Sequence, residues 1–129
     1  MKKILILLLL MVSTSVFAEW TVLGSGAYGT TFYADFGTIK RIGNKVKIWS
    51  LLDFKTVKKV ENYKFLSQMV RSEYDCEEET MRILDVYLYS GNMRGSGIVF
   101  SDANIKKEAW SVTPDTIDEG LFKIACDKK

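Results

Sequence analysis

The chain has 129 residues, with 18 lysines and arginines against 16 aspartates and glutamates, and it contains no histidine. A chain of this length suits one domain with a single core. The lack of histidine excludes the usual Ser-His-Asp and Cys-His nucleophile arrangements and removes the commonest metal ligand.

The N-terminus has the pattern of a secretory signal peptide. Lys2 and Lys3 precede an apolar run from Ile4 to Val12, and the segment Ser13–Ala18 ends in a small residue at the cut site. This order predicts cleavage after Ala18, with residues 1–18 as the signal peptide. The alternative is an uncleaved membrane anchor, but the apolar run is shorter than the roughly 20 residues that cross a bilayer.

Cleavage changes what the rest of the chain implies. It would remove two lysines and leave 16 basic against 16 acidic side chains in a single domain over residues 19–129. A neutral chain with no basic stripe gives no reason to expect a nucleic-acid partner. Glu19, not a cysteine, follows the cut, so we expect no lipid anchor. We also expect no transmembrane segment in the mature protein.

Alternating and β-branched stretches separated by turn residues predict a series of strands. Gly43-Asn44 is a tight turn, Phe36-Gly37 is read as another turn, and Lys55–Asn62 is read as a polar connection. Ser90–Gly97 is read as a glycine-rich hairpin tip. The predicted extended segments are Trp20–Leu23, Thr30–Asp35, Thr38–Ile42, Lys45–Phe54, Tyr63–Cys76, Thr80–Tyr89 and Ile98–Ser101. Ala109–Val112 is a short apolar segment.

The segment Lys45–Phe54 carries apolar residues on both of its faces. Val46 and Ile48 alternate with lysines, but Trp49 and Leu51 then fall on the opposite side. A strand that is apolar on both faces is usually covered on both. Since a symmetric dimer is the commonest oligomer, the sequence favours a second copy as the cover, and therefore a homodimer.

The C-terminal segment predicts one helix that follows Pro114 and runs to about Cys126. Thr116 and Glu119 have the spacing of a capping box. Six residues fall on one arc of the helix and indicate a face that packs on the sheet: Ile117, Leu121, Phe122, Ile124, Ala125 and Cys126. Strands followed by a terminal helix give an α+β fold, an antiparallel sheet of about six strands with the helix on one face.

Cys76 and Cys126 are the only cysteines. Two cysteines in an exported chain most often form one disulfide, which here would tie the helix to the sheet. Two free thiols and an intermolecular bridge are the alternatives. A loop of about 50 residues closed in this way is worth on the order of 4 kcal/mol in the chain-entropy model.

Several segments, in this order, resemble the surface-adhesin E family of Gram-negative bacteria. They are Trp20, Tyr33-Ala34-Asp35 with Ile39 and Arg41, Val46-Lys47-Ile48-Trp49, Ser67, Glu73-Tyr74-Asp75-Cys76 with Arg82, Tyr87, and the run from Trp110 to Pro114 before the helix. The resemblance implies a twisted antiparallel sheet, a terminal helix held by the cysteine bridge, and often a dimer.

The resemblance also implies a function, that of an exported non-enzymatic protein that binds host extracellular-matrix or serum proteins. Because the named family member is lipid-anchored and Glu19 is not a cysteine, the alternative is a soluble periplasmic protein with a small-ligand or envelope role. The protein is expected in the periplasm or at the cell surface. No cofactor, metal or catalytic residue is assigned.

Other residues allow a chemical or binding role beside a plain structural one. Asp53, Glu73, Asp75, Asp85 and Glu108 could supply a carboxylate pair, although scattered acids make some pair inevitable. Glu77–Glu79 with Asp75 could bind calcium, but a solvated turn fits better. Met93 and Arg94 at the hairpin tip could touch a partner. Trp20, Trp49 and Trp110 are most simply core or dimer residues.

Overall fold

The computed structural model describes residues 19–103 and 108–127, so the predicted signal peptide lies outside the described residues. One antiparallel sheet and one C-terminal helix form the fold, as the sequence predicts. The strands are β1 (Thr21–Ser25), β2 (Thr30–Ile42), β3 (Lys45–Val60), β4 (Tyr63–Asp75), β5 (Thr80–Tyr89), β6 (Ile98–Asp102) and β7 (Trp110–Ser111), and the helix is α1 (Ile117–Asp127).

The strands follow one another across the sheet in chain order from β1 to β6. The last position is shared, because β6 pairs with one half of β5, Val86 to Tyr89, and β7 pairs with Thr80 and Met81 in the other half. Each neighbouring pair is antiparallel, as short turns between consecutive strands require.

The predicted turn at Phe36-Gly37 is wrong, since β2 continues through it. The register between β2 and β3 shifts between Asp35 and Lys40, which marks a bulge. Side-chain hydrogen bonds replace the missing ladder there: the Thr38 hydroxyl donates to the Asp35 carbonyl at 2.6 Å and accepts the Trp49 N–H at 3.0 Å.

The predicted connection at Lys55–Asn62 is also wrong, because β3 and β4 form a long hairpin that turns only at Glu61 and Asn62. Glu61 has a φ of 54°, the left-handed conformation that a tight hairpin turn requires. The register of β2 with β3 begins at Phe54 and that of β4 with β5 begins at Ser67. The hairpin therefore extends past its neighbours, and its charged residues stay in solvent.

The core lies between α1 and the sheet. Tyr74 is fully buried and packs edge-on against Phe122 of α1, with ring centroids 6.0 Å apart. Of the predicted helix arc, Ile124 is its exposed edge at 38%. The buried residues of this cluster are Ala34, Val46, Ile48, Tyr74, Met81, Leu121 and Ala125. A second cluster on the sheet is formed by Phe54, Phe65 and Leu88.

The start of α1 follows the capping prediction in part. The Glu119 N–H donates to the Thr116 hydroxyl at 3.3 Å, as a capping box requires. The return bond goes to a different residue, because the Asp115 N–H, not that of Thr116, donates to the Glu119 carboxylate at 3.4 Å.

A disulfide joins Cys76, just after β4, to Cys126 in the last turn of α1, with the Cα atoms 5.6 Å apart. The predicted pairing is confirmed, and both alternatives, free thiols and an intermolecular bridge, are wrong for this structure. Arg41 of β2 adds a second link, since its guanidinium donates to the Cys126 carbonyl at 2.9 Å. Both links hold the C-terminal end of the helix on the sheet.

Candidate functional site

The sheet face that points away from α1, here called the open face, carries most of the polar chemistry of the molecule. Val46 and Ile48 of β3 point toward the helix, so the odd-numbered residues from 45 to 53 point the other way. Their β4 partners are the odd-numbered residues from 67 to 75, in unbroken register. Charged and aromatic side chains therefore line up in rows across this face.

The central row joins an aromatic pair to an ion pair. Arg71 of β4 forms a salt bridge with Asp85 of β5, and its guanidinium carbon lies 5.5 Å from the centroid of the Trp49 ring. Trp49 also packs against Tyr87, with centroids 5.9 Å apart. Stacking of a guanidinium on an aromatic ring holds both groups in fixed orientation and leaves part of each exposed.

The next row is ionic. Arg82 of β5 donates to the Glu73 carboxylate at 2.8 Å, and Lys47 lies opposite Glu73 on β3. An open cleft of about 470 Å³ adjoins this row. It is lined by Lys45, Glu73, Asp75, Thr80, Met81, Arg82, Glu108 and Ala109.

The predicted hairpin tip folds onto the far end of the open face. Ser67 is fully buried beneath it, donating to the Gly91 carbonyl at 2.7 Å and accepting the Arg94 N–H at 2.9 Å. Asp53 accepts the Met93 N–H at 2.7 Å. The predicted tip is therefore confirmed as a turn, and its position is fixed by side chains of β3 and β4.

The tip holds an unusual backbone. Met93, Arg94 and Ser96 have φ values of 51°, 64° and 62°, in the left-handed region that side chains disfavour. Such conformations persist only where the surroundings impose them, and they are found preferentially at binding and catalytic sites. Here the hydrogen bonds to Ser67 and Asp53 impose them and leave Met93 42% exposed.

A shallow cavity of about 210 Å³ lies on the open face beside the tip. Its lining residues are Trp20, Asp35, Thr38, Trp49, Met69 and Arg94. Two of the three tryptophans singled out in the sequence therefore meet there, whereas Trp110 lies in β7 and is 39% exposed.

Leu51, one of the residues from which a covering second copy was expected, needs no such cover. Leu51 has no exposed surface within a single chain. It lies between Tyr33 of β2 and Met69 of β4, and the tip covers the adjacent Ser67. The chain thus covers this part of its own second face.

The candidate carboxylates have different positions. Glu73, Asp75 and Glu108 line the same open cleft, whereas Asp53 holds the tip and Asp85 pairs with Arg71. Across residues 19–103 and 108–127, no group of three potential metal-ligating side chains is close enough to hold an ion.

The acidic turn after β4 is built by its own hydrogen bonds. The Asp75 carboxylate accepts the N–H groups of Glu77 at 3.1 Å and Glu78 at 3.0 Å. This is an aspartate-stabilised turn, with the side chain replacing backbone partners. The turn reading of this segment accounts for Asp75 without an ion.

On the opposite side of the sheet, a groove of about 310 Å³ lies between the first turn of α1 and the strands. Partial burial there raises the pKa of the Asp118 carboxyl above its usual value. A general acid at neutral pH needs a raised carboxyl pKa, but Asp118 is not one of the carboxylates that the sequence singled out. The groove is lined by Leu23, Phe32, Tyr33, Ser50, Leu51, Leu52, Thr116, Ile117, Asp118 and Leu121.

The sequence did not predict that Trp49, Arg71 and Tyr87 lie together in one row. The alternation of Arg71 and Glu73 with apolar Val70 and Tyr74 was the available signal. It places the charged residues of β4 on one face, although the partners across the sheet depend on a register that the sequence does not specify.

These features define a small disulfide-tied α+β domain with an exposed sheet face rich in aromatic and charged side chains. The chain belongs to the surface-adhesin protein E family, whose model matches residues 20–127. No curated protein sequence gives a significant match.

Solved structures of Haemophilus influenzae protein E have the same fold. Crystal form II superposes with a TM-score of 0.63 at 18% identity, over 89% of this chain and 92% of that one. The structure of protein E from non-typeable Haemophilus influenzae gives a TM-score of 0.59 at 18% identity, over 89% of this chain and 80% of that one.

Family membership indicates an adhesin-like protein that is exported or displayed on a surface. The identity to the solved structures is low, so those likenesses establish the fold. Within the described residues, none of the helical structure is long and apolar enough to span a bilayer.

Proposed function

We propose that this protein is an exported, non-enzymatic binding protein that engages a protein partner through its open face. The central observation is the Trp49–Arg71 stack beside the exposed, strained tip that carries Met93 and Arg94. Tryptophan, arginine and methionine are enriched in protein interfaces, and tryptophan and arginine in particular carry large shares of binding energy.

The charge pattern of the face suits a protein partner better than a polyanion. The arginines at 71 and 82 are already paired with Asp85 and Glu73, so both signs alternate along the rows. Alternating charges give specificity through complementary pairs, whereas nucleic acids and sulfated chains require a surplus of positive charge. Membership of an adhesin family favours a host protein as the partner. A host extracellular-matrix or serum protein is the proposed partner class, as the resemblance in the sequence implies.

The first prediction tests this surface. The chain from Glu19 onward is immobilised and exposed to a panel of purified matrix and serum proteins, and saturable binding is measured by interferometry. For a partner that binds, Arg94→Ala together with Met93→Ser should weaken affinity about 30-fold, the effect of losing an interface hot spot of roughly 2 kcal/mol.

Tyr28→Ser is the matched control, because Tyr28 is 87% exposed and lies outside the open face. Its affinity should equal that of the unchanged chain. If the folded protein binds nothing in the panel, the proposed adhesin function is ruled out. If it binds and the tip variants keep full affinity, a surface other than the open face is responsible.

The proposal includes a homodimer, which is now supported by exposed apolar residues and no longer by Leu51. Leu51 needs no second copy, but Ile42 and Ile98 are 68% and 54% exposed at opposite ends of the sheet, and Trp49 is partly exposed. Such residues gain from burial in a symmetric contact.

The second candidate function is a soluble periplasmic protein that holds a small ligand. The groove of about 310 Å³ beside α1 supports it, since small-molecule sites are concave, mainly apolar, and carry a few polar groups such as Asp118. Glu19 at the predicted mature start, in place of a lipid-bearing cysteine, also favours it.

The second prediction separates these two functions by location. If the protein acts as an adhesin, protease treatment of intact cells should remove it while a periplasmic marker survives. Full protection until the outer membrane is opened would support the periplasmic function instead. A version with Glu19→Cys and a lipoprotein signal provides a surface-directed comparison in the same cells.

A further inference from the structure

Asp35 is a buried carboxylate near the bulge of β2, with only 7% of its surface exposed. One carboxylate oxygen accepts the Gly37 N–H at 3.0 Å, and the other accepts the backbone nitrogen of Glu19 at 3.2 Å. Among the salt bridges within residues 19–103 and 108–127, none involves Asp35.

A buried carboxylate in this position lacks part of the stabilisation that water would give its negative charge. Removing an ionised carboxylate from water is costly unless a positive charge and hydrogen bonds replace the solvent. Two backbone amides are neutral donors and compensate only part of that cost. The remaining desolvation cost would be compensated if one of the two nitrogen atoms carried a positive charge.

The predicted processing site places a positive charge at that atom. Hydrolysis of the Ala18–Glu19 peptide bond takes up one water, leaves a carboxylate on Ala18 and leaves an α-ammonium on Glu19. In the precursor the Glu19 nitrogen is an amide with one proton and no charge. After cleavage it has three N–H donors and a full charge near neutral pH.

We infer that Asp35 is the binding site for the α-ammonium of Glu19, which only signal cleavage creates. The ion pair joins the first residue of the mature chain to β2, sixteen positions away. It also fixes the next residue, Trp20, which lines the same shallow cavity on the open face as Asp35. Processing therefore completes this part of the open face as well as releasing the chain.

The inference requires that the mature chain begin at Glu19, independently of what the open face binds. Mass spectrometry of the exported protein tests the requirement directly. A mature N-terminus at any other residue would overturn the proposal, while the binding function described above would be unaffected.

The charge itself is tested by titration. The chain is prepared with Glu19 first, with ¹⁵N in its α-amine, and the amine is titrated by NMR. Asp35 should raise the pKa of this amine above the ordinary range of about 7.7–8.0, because a nearby anion favours the charged form. Asp35→Asn should return the pKa to that range, and an ordinary pKa in the unchanged chain would overturn the proposal.

Stability gives a second readout, whose main comparison is between the unchanged chain with a free α-amine and the same chain acetylated. Acetylation of the α-amine keeps one N–H donor and removes the charge. It should lower the folding equilibrium constant about five-fold in urea titrations, the scale of the difference between a charge-assisted and a neutral hydrogen bond. In Asp35→Asn the acetyl group should change the constant by less than about two-fold, since the partner charge is absent.

Asp102→Asn is the matched control, because Asp102 is an exposed carboxylate in β6. In that variant acetylation should still reduce the folding constant as it does in the unchanged chain. Equal stability of the free and acetylated chains would show that the Glu19 nitrogen needs no charge, and the proposal would fall.

Discussion

Replacing both Cys76 and Cys126 by serine should lower the free energy of unfolding by about 4 kcal/mol, because the bridge closes a loop between residues 50 positions apart. For a domain of this size that loss corresponds to a melting temperature lower by about 20 °C. Reduction of the unchanged protein should produce the same shift. Thermal unfolding followed by circular dichroism measures both.

The structural reason for so large an effect is that α1 is short. Eleven residues form a marginal helix in water, so Ile117–Asp127 depends on its contacts with the sheet. The bridge and the Arg41 hydrogen bond both act on its last turn. Without the bridge, the helical signal should melt before the sheet signal.

Ile124→Ser is the control, because it also replaces an apolar-face residue of α1 by serine. Ile124 is 38% exposed, so its loss should cost much less than the bridge. A melting temperature unchanged by reduction would contradict the prediction. It would mean that the apolar contacts of α1 alone hold it on the sheet.

The sequence was sufficient for the plan of the fold because the plan depends on local patterns. Val46 and Ile48 identify the face of β3 that is buried under α1, and the spacing of Thr116 and Glu119 identifies where α1 starts. Two cysteines allow only one pairing within a chain. Each of these inferences uses residues that are near in sequence or very few in number.

The errors arose where distant residues decide the structure. Lysines in 55–62 suggested a loop, yet β3 continues there and its pairing with β4 resumes at Lys58 after a register shift. Charged residues are tolerated on strands that project into solvent. The bulge at Asp35 depends on Thr38 reaching the Trp49 amide on the next strand. Turn propensity at Phe36-Gly37 does not contain that information.

The candidate site was less predictable than the fold for the same reason. The sequence indicates Met93 and Arg94 as residues that could contact a partner, whereas it favours core or dimer positions for the tryptophans. Their assembly on one face, however, requires Ser67 to hold the tip from 27 positions away. The contact between Glu19 and Asp35 likewise crosses the β1–β2 connection, and no residue pattern in either segment indicates it.

Tyr74→Ala should cost about 4 kcal/mol of unfolding free energy, comparable to loss of the bridge. Tyr74 has no exposed surface and packs on Phe122, so truncation leaves a large cavity between β4 and α1. Urea titration of the purified variant measures the loss. A cost below about 1 kcal/mol would mean that the helix collapses onto the sheet and fills the space.

Tyr74→Phe should have the opposite sign, because it separates the ring from its hydroxyl. Within the described residues the Tyr74 hydroxyl oxygen is buried with no hydrogen bond of normal geometry, although Ser72 and Asp118 lie nearby. Burial, and then the Asp118 charge, raise the pKa of this hydroxyl, so it stays neutral across the physiological range.

A buried hydroxyl without a partner carries a desolvation cost that phenylalanine does not, so the variant should gain up to about 1 kcal/mol. Tyr28→Phe, at an 87% exposed position, should change nothing. A loss of stability in Tyr74→Phe would instead show that the hydroxyl makes a hydrogen bond in solution, with Ser72 as the candidate partner. The pair of substitutions thus distinguishes a packing role for Tyr74 from a polar one at the contact that positions α1.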